Sequence, residues 1–280
     1  MHSLDAPFRY YTLQAFDGSS CKIYVPSTRL KYYKNAEYWD VYEDHIEGYA
    51  SFSDPAFKAY LLDNFDLDSN GIIDTDEAAT IEEINYRASD YGQVSNLNGI
   101  QDLPSLKEFT FDNNGALCNI LSLRSATGLQ YLALENCYYP YLANALNGLT
   151  GLTNLEITAC TGFTSLSLVN IIRNNPNLVF LRVAGMSALT QLILAPSESM
   201  TRLLCYNNAL ESVDVSGFPN LDQLTCFGNN ITELDVSSNT NLSYLYCDPN
   251  SALQTIYVNS TDQIKTTWSK PSTANYVVKE

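Results

Sequence analysis

Residues 200–250 read MTRLLCYNNALESVDVSGFPNLDQLTCFGNNITELDVSSNTNLSYLYCDPN. Within this stretch MTRLLCYNN, LDQLTCFGN and LSYLYCDPN start at Met200, Leu221 and Leu242, each 21 residues after the last. Positions one, four and six of each segment are apolar, and position nine is Asn. Working towards the N-terminus, LVFLRVAGM, LTNLEITAC, LQYLALENC and LKEFTFDNN begin at Leu178, Leu152, Leu129 and Leu106, at spacings of 22, 26, 23 and 23 residues. Position nine stays Asn or Cys in six of the seven copies, with Met186 the exception.

A six-residue segment of this kind is too short to bury its own apolar side, and the alternation at positions four and six has the period of a strand. Stacked as parallel strands, the copies form one apolar row from Phe109, Leu132, Leu155, Leu181, Leu203, Leu224 and Leu245. A second row runs through Phe111, Leu134, Ile157, Val183, Cys205, Cys226 and Cys247. The pattern L-x-x-L-x-L-x-x-N/C, at a period of about 20–29 residues, is similar to the leucine-rich repeat. That resemblance implies an α/β fold: a right-handed solenoid with a parallel concave β-sheet. It also implies that Asn114, Cys137, Cys160, Asn208, Asn229 and Asn250 point inwards and satisfy backbone groups in the turn.

The return half of each coil repeats too. Apolar triplets recur at Leu189, Leu192 and Leu194; at Leu210, Val213 and Val215; at Ile231, Leu234 and Val236; and at Leu253, Ile256 and Val258. Cys118 opens a similar triplet with Leu121 and Leu123. Coils of 21 residues leave little room for a helix, so the convex side is expected to be mostly extended. The longer coils admit short helices at 141–146 and 168–173. The array begins at Ile81, Ile84 and Tyr86 and closes in an irregular C-terminal cap, as solenoids require. The implied organisation is a Tyr-rich cap or partial domain over 1–54, a helix and acidic loop over 55–78, repeats over 79–262 and a cap over 263–280.

The chain has 280 residues, with 31 acidic and 15 basic side chains and a net charge of −16. That charge argues against nucleic acid or an anionic membrane surface as partner. No apolar run approaches the ~18 residues of a membrane-spanning helix, so no membrane insertion is expected, and MHSLDAPFRYY does not read as a signal peptide. Of the seven Cys, five follow the repeat period in the second row or at position nine, and Cys118 opens a return triplet. They are expected to be small buried thiols, reduced and inert, with Cys21 apart from them.

Residues 66–77 read DLDSNGIIDTDE, which fits the calcium-loop pattern D-x-[DN]-x-[DN]-G-x5-E at each fixed position. A Ca²⁺ ion takes about six to eight oxygens. Asp66, Asp68 and Asn70 offer side-chain oxygens, Ile72 its carbonyl, Asp74 a direct or water-mediated ligand, and Glu77 both carboxylate oxygens. Gly71 permits the reversal, and Ile73 anchors the loop to the body. The preceding segment reads as a helix with Phe57, Tyr60, Leu61 and Phe65 on one face. A single loop against a repeat array suits a structural staple rather than a sensor, since sensor loops come in pairs.

The repeats together with F-D-x-D-x-N-G and the coil ends LYCDPN and LTCFGN resemble the surface leucine-rich repeat proteins of gut Bacteroidetes. The 21-residue coils also resemble internalin-type adhesins. The resemblance covers roughly 55–280 and implies export, cell-surface display or secretion, and binding of a protein or glycan. Residues 1–54 lie outside it; FRYYTLQA and CKIYVP suggest a hairpin about Phe16, Asp17, Gly18 and Ser19.

Positions three, five and seven of each strand point away from the core. On them Phe180, Arg182, Arg202, Tyr206, Phe227, Tyr244 and Tyr246 form a candidate ligand-binding patch towards the C-terminal half, rich in the residue types that dominate interfaces. With only His2 and His45, and no phosphate loop or nucleophile motif, the sequence points away from an enzyme. The readings left open are a binding module, a structural spacer, and a substrate-recruiting part of a larger surface enzyme.

Overall fold

The computed structural model describes residues 22–36 and 39–279. At the N-terminal end, β1 (Ile23–Pro26) is followed by α1 (Leu30–Lys34) and β2 (Ile46–Ala50). Next come α2 (Pro55–Phe65), β3 (Ile73–Asp74) and α3 (Thr75–Ala78). Strands β1 and β2 pair in parallel, and β2 pairs antiparallel with β3, so the acidic loop is tied to the preceding region by backbone bonds. Val25, Trp39, Tyr42 and Ile46 form a small core of their own there. The FRYYTLQA strand of the expected hairpin lies outside the described residues; IYVP pairs in parallel with β2.

The repeats then produce β4 (Glu83–Arg87), the short helix α4 (Ala88–Tyr91), β5 (Glu108–Asp112) and β6 (Tyr131–Glu135). Helix α5 (Leu142–Leu146), β7 (Asn154–Thr158), β8 (Ser165–Ser167), α6 (Val169–Asn174), β9 (Phe180–Ala184) and β10 (Gln191–Ile193) follow. The last coils give β11 (Arg202–Leu204), β12 (Gln223–Thr225), β13 (Glu233–Asp235), β14 (Tyr244–Tyr246), β15 (Thr255–Val258) and β16 (Asn275–Val278). Strands β4, β5, β6, β7, β9, β11, β12 and β14 form one eight-stranded sheet, all neighbours parallel.

Its register aligns Phe109, Leu132, Leu155, Leu181, Leu203, Leu224 and Leu245, the row expected from the repeat, and all seven are fully buried. Ile84 and Tyr86 extend the two rows into β4. Each such side chain contributes about 1.5–3 kcal/mol by leaving water. The two short helices of the longer coils appear as α5 and α6. Later return segments are extended, with β8 beside β10 and β15 between β13 and β16. The C-terminal end is therefore more regular than expected, because β16 adds a parallel strand to β15. Leu121 departs from its expected triplet and is exposed, since residues 121–125 form a tight 3₁₀ turn in which strand alternation does not apply; Ile120 and Leu123 are buried instead.

Stacking leaves carbonyls pointing into a dry core, and side-chain amides meet them. Asn208 Nδ2 donates to the carbonyls of Val183 and Cys205 at 2.8 and 3.0 Å, and its Oδ1 accepts from the Met186 amide at 2.9 Å. Asn229 repeats this with Cys205, Cys226 and the Leu210 amide. Asn250 does so with Cys226, Cys247 and the Asn229 amide. Cys137 and Cys160 fill the same place with a weaker donor, their thiols reaching the carbonyls of Glu135 and Thr158.

The first coil corrects the expectation: Asn113, not Asn114, is the inward residue, bonded to Val94 and Ala116. In later coils a left-handed residue precedes the inward one, as in Asn136, Ala159, Gly185, Asn207 and Gly228. Here the order is reversed, and Asn114 and Gly115 take the positive φ after the inward residue. On the return side Asn175, Asn239 and Gln263 act likewise, which the strand pattern gave no means of seeing.

Helix α2 closes the N-terminal end. Phe57 is fully buried and meets Phe52, Tyr86 and Phe109 edge-on, and the Tyr60 hydroxyl accepts from the amide of Asn85 on the outermost strand. Asp54 caps the helix, accepting from Ala56 and Phe57 on one oxygen and from the amide and hydroxyl of Ser95 on the other. Burial alone would raise its pKa; the bonds from Ser95, Phe57 and Ala56 outweigh burial and hold it below the ordinary value.

Two outcomes follow for urea unfolding. Asn229→Ala strands two carbonyls and an amide and should cost about 2–4 kcal/mol, whereas Asn241→Ala, exposed, should fall within about 0.5 kcal/mol of the parent. For Asp54, the folded pKa is the lower one. Its contribution is therefore present above the unfolded pKa of about 3.9 and fades as pH falls through the folded value. Asp54→Asn should lower stability at neutral pH and flatten that acid limb.

Candidate functional site

Two groups of side chains stand apart from the core: the acidic loop and the outer face of the large sheet. In the loop, Ser69 and Gly71 take φ of 58° and 83°, which turns the chain back on itself. Asp66 accepts from the amides of Asn70 and Gly71, Asp68 from the amide and side chain of Asn70, and Asn70 Oδ1 from the amide of Ile72. Glu77 accepts from Leu67 on one oxygen and Asp74 on the other, at 2.7 and 3.1 Å.

Carboxylate oxygens of Asp66, Asp68 and Glu77 lie within 4.8 Å of one another. Asp74 is not among them: its carboxylate caps α3, accepting from the amides of Asp76 and Glu77. The structure thus joins three of the anticipated acidic ligands and gives the fourth to helix capping. Ile73 is buried and pairs with Ala50, the expected anchor. Three carboxylates this close repel one another, and such an oxygen set suits a hard divalent cation.

On the sheet, the seven patch residues divide. Phe180 is buried, with the guanidinium carbon of Arg202 4.6 Å and that of Arg182 5.7 Å from its ring centre. Arg182 Nη1 donates to Glu156 Oε2 at 2.6 Å, and the Tyr131 hydroxyl donates to Glu156 Oε1 at 3.1 Å. Burial, reinforced by Glu156, pushes the Tyr131 phenol up to about 12. Phe180 and Arg182 therefore belong to the sheet's own packing. Glu156 and Arg182 occupy position five of neighbouring strands, a complementary pair that reading down that column would have disclosed.

The remaining residues are accessible. Tyr206 and Phe227 stack at 4.8 Å and 8°, and Phe227 meets Tyr246 at 4.9 Å and 43°. Tyr244 is 39% exposed, and exposed Arg202 donates from Nε to Gln223 at 3.2 Å. The other half of the face carries Glu83, Glu108, Asp112 and Glu135 at positions three and seven, a group the patch definition passed over.

No protein-family model and no curated protein matches this chain. Solved structures do. An internalin C2 from Listeria monocytogenes superposes with a TM-score of 0.51 at 16% identity, covering 81% of this chain and 94% of that one. The fold is that of a leucine-rich repeat solenoid. The functional domain of InlJ from the same organism, described as including a cysteine ladder, gives 0.44 at 23% identity, over 74% of this chain and 50% of that one. A leucine-rich repeat protein of Leptospira interrogans gives 0.42 at 13% identity, over 79% and 70%.

All six described cysteines are unbridged and buried, and burial pushes Cys118, Cys205 and Cys247 to about 12. Thiol titration of the native protein should leave these six unlabelled, and all should react once the chain is unfolded. Labelling of any of the six under native conditions would contradict this packing.

Proposed function

We propose that the chain is a non-catalytic binding module, displayed on a cell surface or secreted, that recognises a protein or glycan ligand on the concave sheet. The observation that supports it is the cluster of Tyr206, Phe227 and Tyr246. Tyr206 and Phe227 stack, Tyr246 meets Phe227 at a tilt, and all three stay partly exposed beside Tyr244 and Arg202 on a face whose core side is already satisfied. Aromatic side chains lose little entropy on binding, and aromatic and Arg residues dominate interface energetics. Among the described residues no helix is long and apolar enough to cross a membrane.

The cap is proposed to hold one structural Ca²⁺. Asp66, Asp68 and Glu77 would hold it, with Asn70 and the Ile72 carbonyl completing the shell. The ion would relieve the repulsion among the three carboxylates and fasten β3, and through it β2, to α2. A site present only in the folded loop adds its binding free energy to stability, about 2.7 kcal/mol at a hundredfold excess over Kd.

Calcium should raise the melting temperature, and Asp68→Ala, which leaves the backbone bonds of Glu77 in place, should abolish the rise. A melting curve identical in calcium and in excess chelator sinks the calcium proposal. For the sheet, Arg202→Ala with Tyr246→Ala should lose the partners that the parent captures on protein and glycan arrays, while its melting temperature stays within a few degrees. Retention of every partner by a folded variant would contradict the assignment.

A further inference from the structure

The outer face of the large sheet is divided in charge as well as in shape. Glu83 stands directly opposite Glu108 on β4 and β5, and Asp112 directly opposite Glu135 on β5 and β6. Like charges in facing positions destabilise a sheet. Among the described residues none of the four is in an ion pair. Arg87 faces Asp112 without reaching it in an ion pair, and Lys107 is engaged by Glu82. Across β6, β7 and β9 the surface is internally compensated by the Tyr131–Glu156–Arg182 network. Beyond it lie the adjoining rings of Tyr206, Phe227 and Tyr246. The face therefore runs from a net acidic half with unpaired carboxylates, through a neutral strip, to exposed aromatic surface.

We infer that the ligand of this sheet is an extended protein segment, basic at one end and apolar or aromatic at the other, lying across the strands. Its basic end sits over β4 to β6 and its apolar end over β11 to β14. This rests on the binding reading above and adds the chemistry and direction of the ligand. Charge complementarity selects the class: the facing carboxylates cost the free protein repulsion that Lys or Arg side chains would relieve, and they repel nucleic acid. An uncharged sugar would satisfy only the aromatic end. The dimensions agree with a peptide. From β5 to β12 is five strand steps, about 24 Å at ~4.8 Å each, which about seven residues span in extended form at ~3.4 Å per residue. Opposed ends of different character also fix the orientation, because reversal brings the ligand's cations beside exposed Arg202 and lays its apolar groups over carboxylates.

The test is selection of a random-peptide display library on the whole chain, with enriched peptides measured against two variants. One is Glu83→Gln with Glu108→Gln, the other Tyr206→Ala with Tyr246→Ala. Enriched peptides should pair a Lys or Arg cluster with an aromatic or large apolar residue about five to seven positions away, always in the same order. Each variant should weaken binding by about tenfold or more, and added salt should weaken the parent but hardly the Gln variant. The Gln variant, freed of facing charges, should also melt at or above the parent temperature. Peptides that need the rings yet ignore Glu83 and Glu108 would overturn this inference and leave the binding reading standing. So would the absence of enriched peptides together with glycan capture lost in the Tyr variant. Peptide or glycan binding indifferent to both variants would overturn the two together.

Discussion

The fold depends on one constraint: a stacked coil turns backbone carbonyls into a space with no water, and something inside must donate to them. A buried carbonyl left unpaired costs about 1–3 kcal/mol, so a solenoid cannot leave one in each coil. Asn208, Asn229 and Asn250 answer it, each bonding carbonyls of two successive coils and taking an amide proton in return. Because each amide reaches into the coil before it, the bonds set the stacking distance and register as well as satisfying the turn. Asn175, Asn239 and Gln263 perform the complementary task where the return segment rejoins the sheet.

With the interior so determined, the outer positions are free to vary. The chain uses that freedom unevenly. The first strands carry facing carboxylates, the middle strands a closed Tyr–Glu–Arg network, and the last strands a stack of rings. The N-terminal opening of the core is covered by α2 and its Asp54 cap, which positions the acidic loop beside the first strand. The C-terminal opening is covered by β16 and by Trp268, which is 9% exposed.

Most of the solenoid was legible in the sequence because its rules are local and repeated. The two apolar rows, the strand at Ile84 and Tyr86, and the helices α5 and α6 follow from period and coil length. What escaped depends on details that periodicity does not carry. Asn113 and Asn114 are the same residue type in adjacent places, and only the order of the left-handed residue decides which turns inwards. Asp74 satisfies the loop pattern yet also begins a helix, where its Oδ1 accepts from Asp76 and Glu77 and stands apart from the three clustered carboxylates. Phe180 and Arg182 share the character of a binding patch, but Glu156 in the neighbouring strand pairs with Arg182 along the outer face. The parallel pairing of β1 with Ile46–Ala50 was not read, since nothing in that aromatic and acidic stretch marks it as a strand.

The amide constraint is tested most directly by native-state hydrogen exchange at Met186, Leu210 and Asn229. The amides of these residues donate to side-chain oxygens of Asn208, Asn229 and Asn250 rather than to other backbone groups. If the inward amides hold the stack together, these three protons should exchange only in the opening that also releases strand amides such as Cys205 and Cys226, with protection within about tenfold of theirs. Exchange several orders of magnitude faster than those strand amides would show that the turns open independently of the coils, and would contradict the account.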